Sequence, residues 1–297
     1  MAKEKALPEG IYAAALTPFH PDLSCNVTEL YIHCQSLLQR GCQGIVLFGT
    51  TGEGPSFSQK ERIDILNQMI EMEFPAEKIL VANGSSGIAE TVELAIASLK
   101  HGCNTLLIVP PSFYKNIKDD GVISYYREII TKVGNPNLKV ILYHIPQYSG
   151  ISITLNIIRK LMSEFPSNIV GMKESEGNLF FAKAFIDAFP SLQLFVGNER
   201  QIIETVNYGG AGAICGIANL YPELMVSLYD QGKIGLSPNP PQLEAVFEAL
   251  KDIPFIAAAK SFMEKEIGEE WQTLRPPLIP LDAKIRDLFL SKLTEYQ

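Results

Sequence analysis

The sequence predicts a (β/α)8 TIM barrel with a C-terminal helical extension. Three observations carry that expectation. Eight short apolar runs recur along the chain, amphipathic segments with helix punctuation separate them, and after about Tyr221 the runs stop and only helical patterns follow. The strands are read at Tyr12–Thr17, Gly44–Phe48, Ile79–Asn83, Thr105–Pro110, Lys139–Tyr143, Ile169–Lys173, Gln193–Val196 and Gly212–Cys215. Most are apolar throughout rather than alternating, as strands of a parallel sheet covered on both faces should be.

Between the strands, Ser58 and Glu61 form a capping-box signature that opens a helix over Gln59–Glu73. Gly41, Gly102 and Gly209 each follow a helical segment and shortly precede a strand, which suits a glycine C-cap. The phrases RGCQGIVLFG and HGCNTLLIVP echo each other as a repeated helix–strand unit. Eight such units close a barrel. The alternative, a doubly wound open sheet, is disfavoured because no GxGxxG opens the first helix. The barrel is expected to take residues 1–225. Residues 226–297 read as helices at Gln242–Lys251, Phe255–Glu266 and Asp282–Tyr296, separated by PNPP and LRPPLIPL. No flexible linker precedes this region, so it is expected to pack on the barrel.

The composition, 46% hydrophobic over 297 residues, suffices for a large core. A net charge of −8 lacks the basic footprint of a nucleic-acid binder. No stretch reaches the ~18 unbroken apolar residues of a membrane span, and MAKEKALPEG holds no apolar signal core. A cytoplasmic protein with neither a nucleic-acid nor a membrane partner is expected. Five cysteines without a CxxC pair argue against a disulfide framework or zinc knuckle, and read as core fillers. His20, His33, His101 and His144 show no metal-ligand spacing. The chemistry is therefore expected to need no metal.

Barrels carry their sites at the C-terminal ends of the strands. That filter selects GTTGEG after strand two, PPSFYKN with Tyr114 after strand four, Tyr143 in ILYHIP, Lys173 in IVGMKES, VGNE after strand seven and AICGIAN at strand eight. A lysine closing a buried apolar strand cannot easily snorkel to bulk water. Apolar surroundings favour the free amine, which is the nucleophile that attacks a ketone. The alternative for Lys173 is a structural lysine paired with a carboxylate such as Glu174. Tyr143 closes the adjacent strand, ~4.8 Å away, so phenol and amine can meet above the barrel. Imine formation and hydrolysis need such a proton shuttle. Thr50 can relay through its hydroxyl and Tyr114 can extend the chain; the alternative for each tyrosine is an ordinary amphipathic wall residue. In Gly49-Thr50-Thr51-Gly52-Glu53-Gly54 the small residues let backbone N–H groups approach a carboxylate, helped by the Thr51 hydroxyl, unless the segment is a plain tight turn. Glu53 reads as a structural carboxylate bonding loop amides, with a general base as the alternative.

Taken together, GTTGEG, the tyrosine followed by x-x-P in YHIP, and GMKESEGN make the sequence resemble the dihydrodipicolinate synthase/N-acetylneuraminate lyase family of Schiff-base barrels. The likeness covers nearly the whole chain, including LRPPLIPL. It implies that Lys173 is the Schiff-base lysine and Tyr143 the proton relay, that Thr50 links Tyr143 to Tyr114, that Thr51 with Gly49 holds the pyruvate carboxylate, and that Ile214 packs on the pyruvate. It also implies pyruvate or a related 2-oxo acid and an aldehyde as substrates, no cofactor, and a homotetramer of tight dimers in which Tyr114 reaches the neighbouring site.

One departure matters. In dihydrodipicolinate synthases an arginine after the relay tyrosine grips the carboxylate of aspartate semialdehyde, and Tyr148 stands in that position here. A tyrosine offers one hydroxyl and no charged fork. Tyr148, His144 and Asn198 are expected to suit the hydroxyl groups of a sugar-acid aldehyde. Gly54, Gln59, Ser86 and Phe113 stand where lysine-regulated synthases carry polar or aromatic residues, so the feedback pocket is expected to be eroded. The expected function is a Schiff-base-forming, pyruvate-dependent aldolase or lyase acting on a 2-oxo acid such as a 2-keto-3-deoxy sugar acid. Alternatives are 4-hydroxy-tetrahydrodipicolinate synthase, a deoxy-sugar-acid dehydratase, a non-catalytic 2-oxo-acid-binding barrel and a metal-dependent barrel lyase.

Overall fold

A strand that is apolar on both faces must be covered on both, and closing the sheet on itself with helices outside does so without leaving an edge. The computed structural model describes residues 5–236 and 238–294. In it β1 (Gly10–Ala14), β2 (Gly44–Leu47), β3 (Ile79–Asn83), β4 (Thr105–Ile108), β5 (Lys139–His144), β6 (Ile169–Glu174), β7 (Gln193–Val196) and β8 (Gly212–Cys215) close into a parallel barrel in chain order. The outer layer is α1 (Val27–Gln39), α2 (Gln59–Glu71), α3 (Ile88–Lys100), α4 (Asp119–Val133), α6 (Leu155–Glu164), α7 (Leu179–Ala188), α8 (Ile202–Asn207) and α9 (Pro222–Lys233); a single turn, α5 (Pro146–Ser149), precedes α6. The extension follows as α10 (Pro241–Ala249), α11 (Phe255–Glu266) and α12 (Ala283–Thr294). Phe289 and Leu293 of α12 are buried in the same core as the barrel helices, so the extension packs on the barrel. The boundary expected at 225/226 falls inside α9.

Local signals account for most ends. Ser58 and Glu61 exchange both capping-box bonds. Gly41, Gly102 and Gly209 sit one residue past the C-caps of α1, α3 and α8, each with positive φ. The ends that differ have physical causes. β1 was expected to reach Thr17, but the Leu16 N–H leaves the ladder for the side chain of Asn219. β4 stops short of Pro110, which has no N–H to give. α2 ends before Glu73, whose φ is 63°. The last helix starts at Ala283, and its expected end, Tyr296, lies outside the described residues.

One irregularity fixes the site. Val140 pairs with Ile169 and Ile141 with Gly171, so Val170 is an extra residue in β6. Ile169 and Met172 face the helices, while Val170 faces the barrel interior. This bulge shifts the alternation by one and turns Lys173 inward, beside Tyr143. No side chain fits at Gly171, where a Cβ would lie 2.3 Å from the Gln193 carbonyl oxygen. Below, Tyr12 and Phe195 fill the barrel edge to face, with centroids 5.4 Å apart.

A buried polar lock joins α1 to the barrel. Asn219 donates to the carbonyl oxygens of Ala14 and Gly216, so its Oδ1 accepts the Leu16 N–H and the His33 Nε2–H, at 2.9 Å each. Burial pulls the His33 pKa from 6.5 down to about 4, against the upward pull of Asn219. The native state therefore binds fewer protons than the unfolded state between those values. Its contribution is complete above pH 6.5 and is lost as the pH falls to about 4. At ~1.4 kcal/mol per unit this is about 3 kcal/mol. Urea unfolding of the protein and of His33→Gln at about pH 7 and about pH 4 is expected to show the variant losing that share of the pH dependence.

Candidate active site

The carboxyl ends of β5 and β6 bring two side chains together. Tyr143 and Lys173 are register partners, and Lys173 Nζ donates to the Tyr143 hydroxyl at 3.4 Å while lying 4.5 Å from its ring centroid. Lys173 is 6% exposed and has no carboxylate partner among the described residues. The alternative pairing with Glu174 does not occur. Glu174 faces the helices, and its carboxylate accepts the backbone N–H groups of Glu176, Gly177 and Asn178. Burial pushes the Glu174 pKa up, against the pull of those amides. A second buried carboxyl, Glu199, accepts the Gly216 and Ile217 N–H groups at 3.1 Å, and its charged form also feels Lys173; burial wins and raises its pKa.

The GTTGEG segment is a turn held by strain and charge. Phe48 and Glu53, both with left-handed φ (60° and 56°), bracket Gly49–Gly52, a conformation costing ~1–2 kcal/mol per residue for a side chain with Cβ. Gly54 is obligatory, because a Cβ there would lie 1.8 Å from the Phe48 carbonyl oxygen. The N–H groups of Thr50 and Thr51 make no hydrogen bond to another described residue, which leaves them available to an anion. Glu53 was expected to bond loop amides; it accepts one, from the distant loop at Arg275, and its other partner is a lysine. Its carboxylate meets Lys260 of α11 at 2.5 Å and accepts the Arg275 N–H at 3.0 Å. Both side chains of the ion pair are essentially fully buried. Arg275 in turn donates to the carbonyl oxygens of Leu23 and Ser56 and pairs with Glu61.

Two cavities open around this turn. One, about 310 Å³, is lined by Gly49, Thr50, Tyr143 and Tyr148 together with Arg62 and Ser112. The other, about 540 Å³, lies against α10 and α11 and is lined by Thr51, Glu199, Gly216 and Phe255. The consecutive threonines thus serve different cavities. Ile214 is fully buried inside the barrel in one apolar cluster with Tyr143. Asn198 caps the turn after β7 by accepting the Arg200 N–H. Tyr114 is 65% exposed beside Phe113 and does not line the cavity of its own chain.

His144 is a correction. It follows Tyr143 in the strand and so faces the opposite way, toward Phe181 of α7. Its Nδ1 accepts the Ile153 N–H, which leaves Nε2–H for Glu176 at 3.3 Å. It cannot reach the mouth. His144, Glu174 and Glu176 do bring their ligand atoms within 4.8 Å of one another, a grouping that linear spacing hid. Backbone amides already occupy Glu174 and one His144 nitrogen, so the group braces the β6–α7 loop. Residues that sequence reasoning missed are Arg62, Glu199, Lys260 and Arg275. Only Glu199, in VGNE, lay at a strand end where the filter could have found it.

The family model described as the Dihydrodipicolinate synthetase family matches residues 7–296. The chain is 31% identical over 279 residues to an uncharacterized DapA-like lyase of Chloroflexus aurantiacus, covering 93% of each chain. It is 28% identical over 306 residues to a 4-hydroxy-tetrahydrodipicolinate synthase of Brachyspira hyodysenteriae, covering 98% of each. The crystal structure of dihydrodipicolinate synthase from Agrobacterium tumefaciens superposes with a TM-score of 0.91 at 26% identity, over 97% of this chain and 99% of that one.

The buried ion pair yields a direct test. Removing one partner strands the other charge, and such losses run at about 3–5 kcal/mol. Lys260→Met is expected to lower unfolding stability by that amount. Glu53→Gln combined with Lys260→Met is expected to recover most of the loss, as read from denaturant midpoints.

Proposed function

The chain belongs to the dihydrodipicolinate synthetase family and is a lyase of the class I aldolase type; from that premise we propose that it works through a Schiff base between Lys173 and pyruvate or a related 2-oxo acid. The observation that carries the proposal is the inward amine of Lys173, 3.4 Å from the Tyr143 hydroxyl and without a carboxylate partner among the described residues. The amine adds to the ketone carbon, and the resulting carbinolamine loses water as Tyr143 moves the proton. Loss of a proton from the methyl carbon gives the enamine. That carbon bonds to the aldehyde carbon, the aldehyde oxygen takes up a proton, and water then cleaves the imine to regenerate the amine. Cleavage of a hydroxy-oxo acid runs the same steps backwards. The free Thr50 and Thr51 amides offer donors to the 2-oxo acid carboxylate.

For the second substrate we favour a hydroxylated aldehyde, as in a 2-keto-3-deoxy sugar acid. Tyr148 lines the Tyr143 cavity and offers an uncharged hydroxyl at its own position. The names of several relatives support condensation with aspartate semialdehyde as the second reading. A purely binding barrel has no use for the Lys173–Tyr143 pair. Independence of metals and other cofactors, a cytoplasmic location, and a homotetramer in which the exposed Phe113–Tyr114 pair meets a neighbouring copy belong to the same proposal. No helix among the described residues is long and apolar enough to cross a membrane.

Borohydride reduction in saturating pyruvate is expected to add one pyruvyl group per chain, mapped to Lys173 by peptide mass, and to do so equally after EDTA treatment. An unmodified Lys173 sinks the mechanism. Lys173→Ala should abolish turnover with an unchanged melting curve, and Tyr143→Phe should lower kcat by about 10²–10⁴-fold.

For selectivity, Tyr148→Phe is expected to raise KM for hydroxylated aldehydes by about tenfold, the worth of one hydrogen bond, while leaving pyruvate trapping intact. An unchanged KM removes residue 148 from the substrate site.

A further inference from the structure

The cavity that holds Tyr143 and Thr50 also contains a cation with no carboxylate partner among the described residues. Arg62 projects from the first turn of α2 to line it. Among the described residues it donates to a single carbonyl oxygen, that of Gly54, met by Nη2 at 2.6 Å, and Nε is buried with no partner. Of the other cations near the mouth, Arg200 pairs with Glu244 at 2.7 Å, and Lys115 is exposed to water and donates to the carbonyl oxygens of Ser112 and Ser149. No Asp or Glu among the described residues lines the cavity. Burial pulls the Arg62 pKa below its ordinary value, and Glu90 and Glu61 oppose that pull from outside ion-pair range.

A half-buried guanidinium with unused donors lacks the partner its geometry is built to hold, since its fork matches carboxylate or phosphate oxygens. The hydroxyls of Tyr148, Ser112 and Thr50 line the same cavity and have no partner among the described residues. The cavity therefore combines hydroxyl-bonding groups beside the proton relay with one fixed positive charge. We propose that Arg62 is a specificity-determining residue that makes this cavity an anion subsite, so that the second substrate is a hydroxylated aldehyde bearing a carboxylate or phosphate. This rests on the Schiff-base reading above and adds the charge of the partner to it.

The test compares kcat/KM, with pyruvate, for an anionic set (aspartate semialdehyde and glyceraldehyde 3-phosphate) against a neutral set (glyceraldehyde and erythrose). The enzymes are the protein, Arg62→Met and Arg62→Lys. The anionic-to-neutral ratio is expected to fall by about thirtyfold or more in Arg62→Met and to be partly restored by Arg62→Lys. Whichever anionic aldehyde loses more tells carboxylate from phosphate. Equal losses for both sets would make Arg62 a structural tie to the Gly54 loop and overturn the proposal. If Arg62→Met does not fold, calorimetry on the unaltered protein decides: succinate or inorganic phosphate should bind in the presence of pyruvate and compete with the aldehyde, and failure of both to bind overturns the proposal. Borohydride trapping is read on the same samples: no adduct on Lys173 sinks the Schiff-base reading, whereas an adduct with an unmoved ratio sinks the anion subsite alone.

Discussion

The ion pair between Glu53 and Lys260 holds together what the rest of the site depends on. Taking two charges out of water is expensive, and the pair is sustained only because its surroundings complete it. Thr273 accepts from Lys260 at 2.7 Å, the Arg275 N–H supplies Glu53, and Phe19 lies against the Lys260 ammonium at 4.2 Å. The gain lies at the other end of Glu53. Its backbone sits in the left-handed region, as does Phe48, and the two unfavourable residues aim the intervening amides away from the turn. Such a conformation persists only where its neighbours over-determine it. The C-terminal helices are therefore part of the site's framework, although among the described residues none of theirs bonds to Lys173.

Much of this was legible in the sequence, and the parts that were not share a reason. The barrel could be read because buried parallel strands are apolar runs, and three of the eight, β3, β7 and β8, begin and end where the runs do. The turn residues could be read because glycine and threonine at a strand end have few other uses. Facing could not be read so directly. Counting by twos from Ile169 puts Lys173 on the helix side, and only the extra residue Val170 reverses it. Its place at the end of a buried strand, not the alternation, led to Lys173. For His144 the error ran the other way: it was expected to meet substrate hydroxyls with Tyr148, whereas neighbours along a strand point to opposite faces and His144 follows the inward Tyr143.

Charges carried on helices and on the C-terminal loop escaped for a different reason. Arg62 stands in an ordinary amphipathic segment, SQKERIDIL, and reaches the mouth because α2 starts directly beneath the Gly54 turn. Lys260 and Arg275 meet Glu53 across more than two hundred residues of chain. No local pattern encodes such a meeting. It follows from how the extension folds back over the second strand's loop, which linear spacing does not contain.

The bulge at Val170 also says how this strand can change over time. Exchanging one apolar side chain for another along β6 leaves the parity of the strand alone, so the amine keeps its orientation while packing drifts. Losing the bulge at unchanged length, so that Ile141 paired with Val170, would restore strict alternation and swing the amine into the helix layer, whereas deleting Val170 would leave Lys173 opposite Tyr143. The chemistry of this barrel is thus indifferent to much substitution in β6 and intolerant of a slip in its pairing beyond Val170, which makes the register of the strand, more than its composition, the inherited quantity.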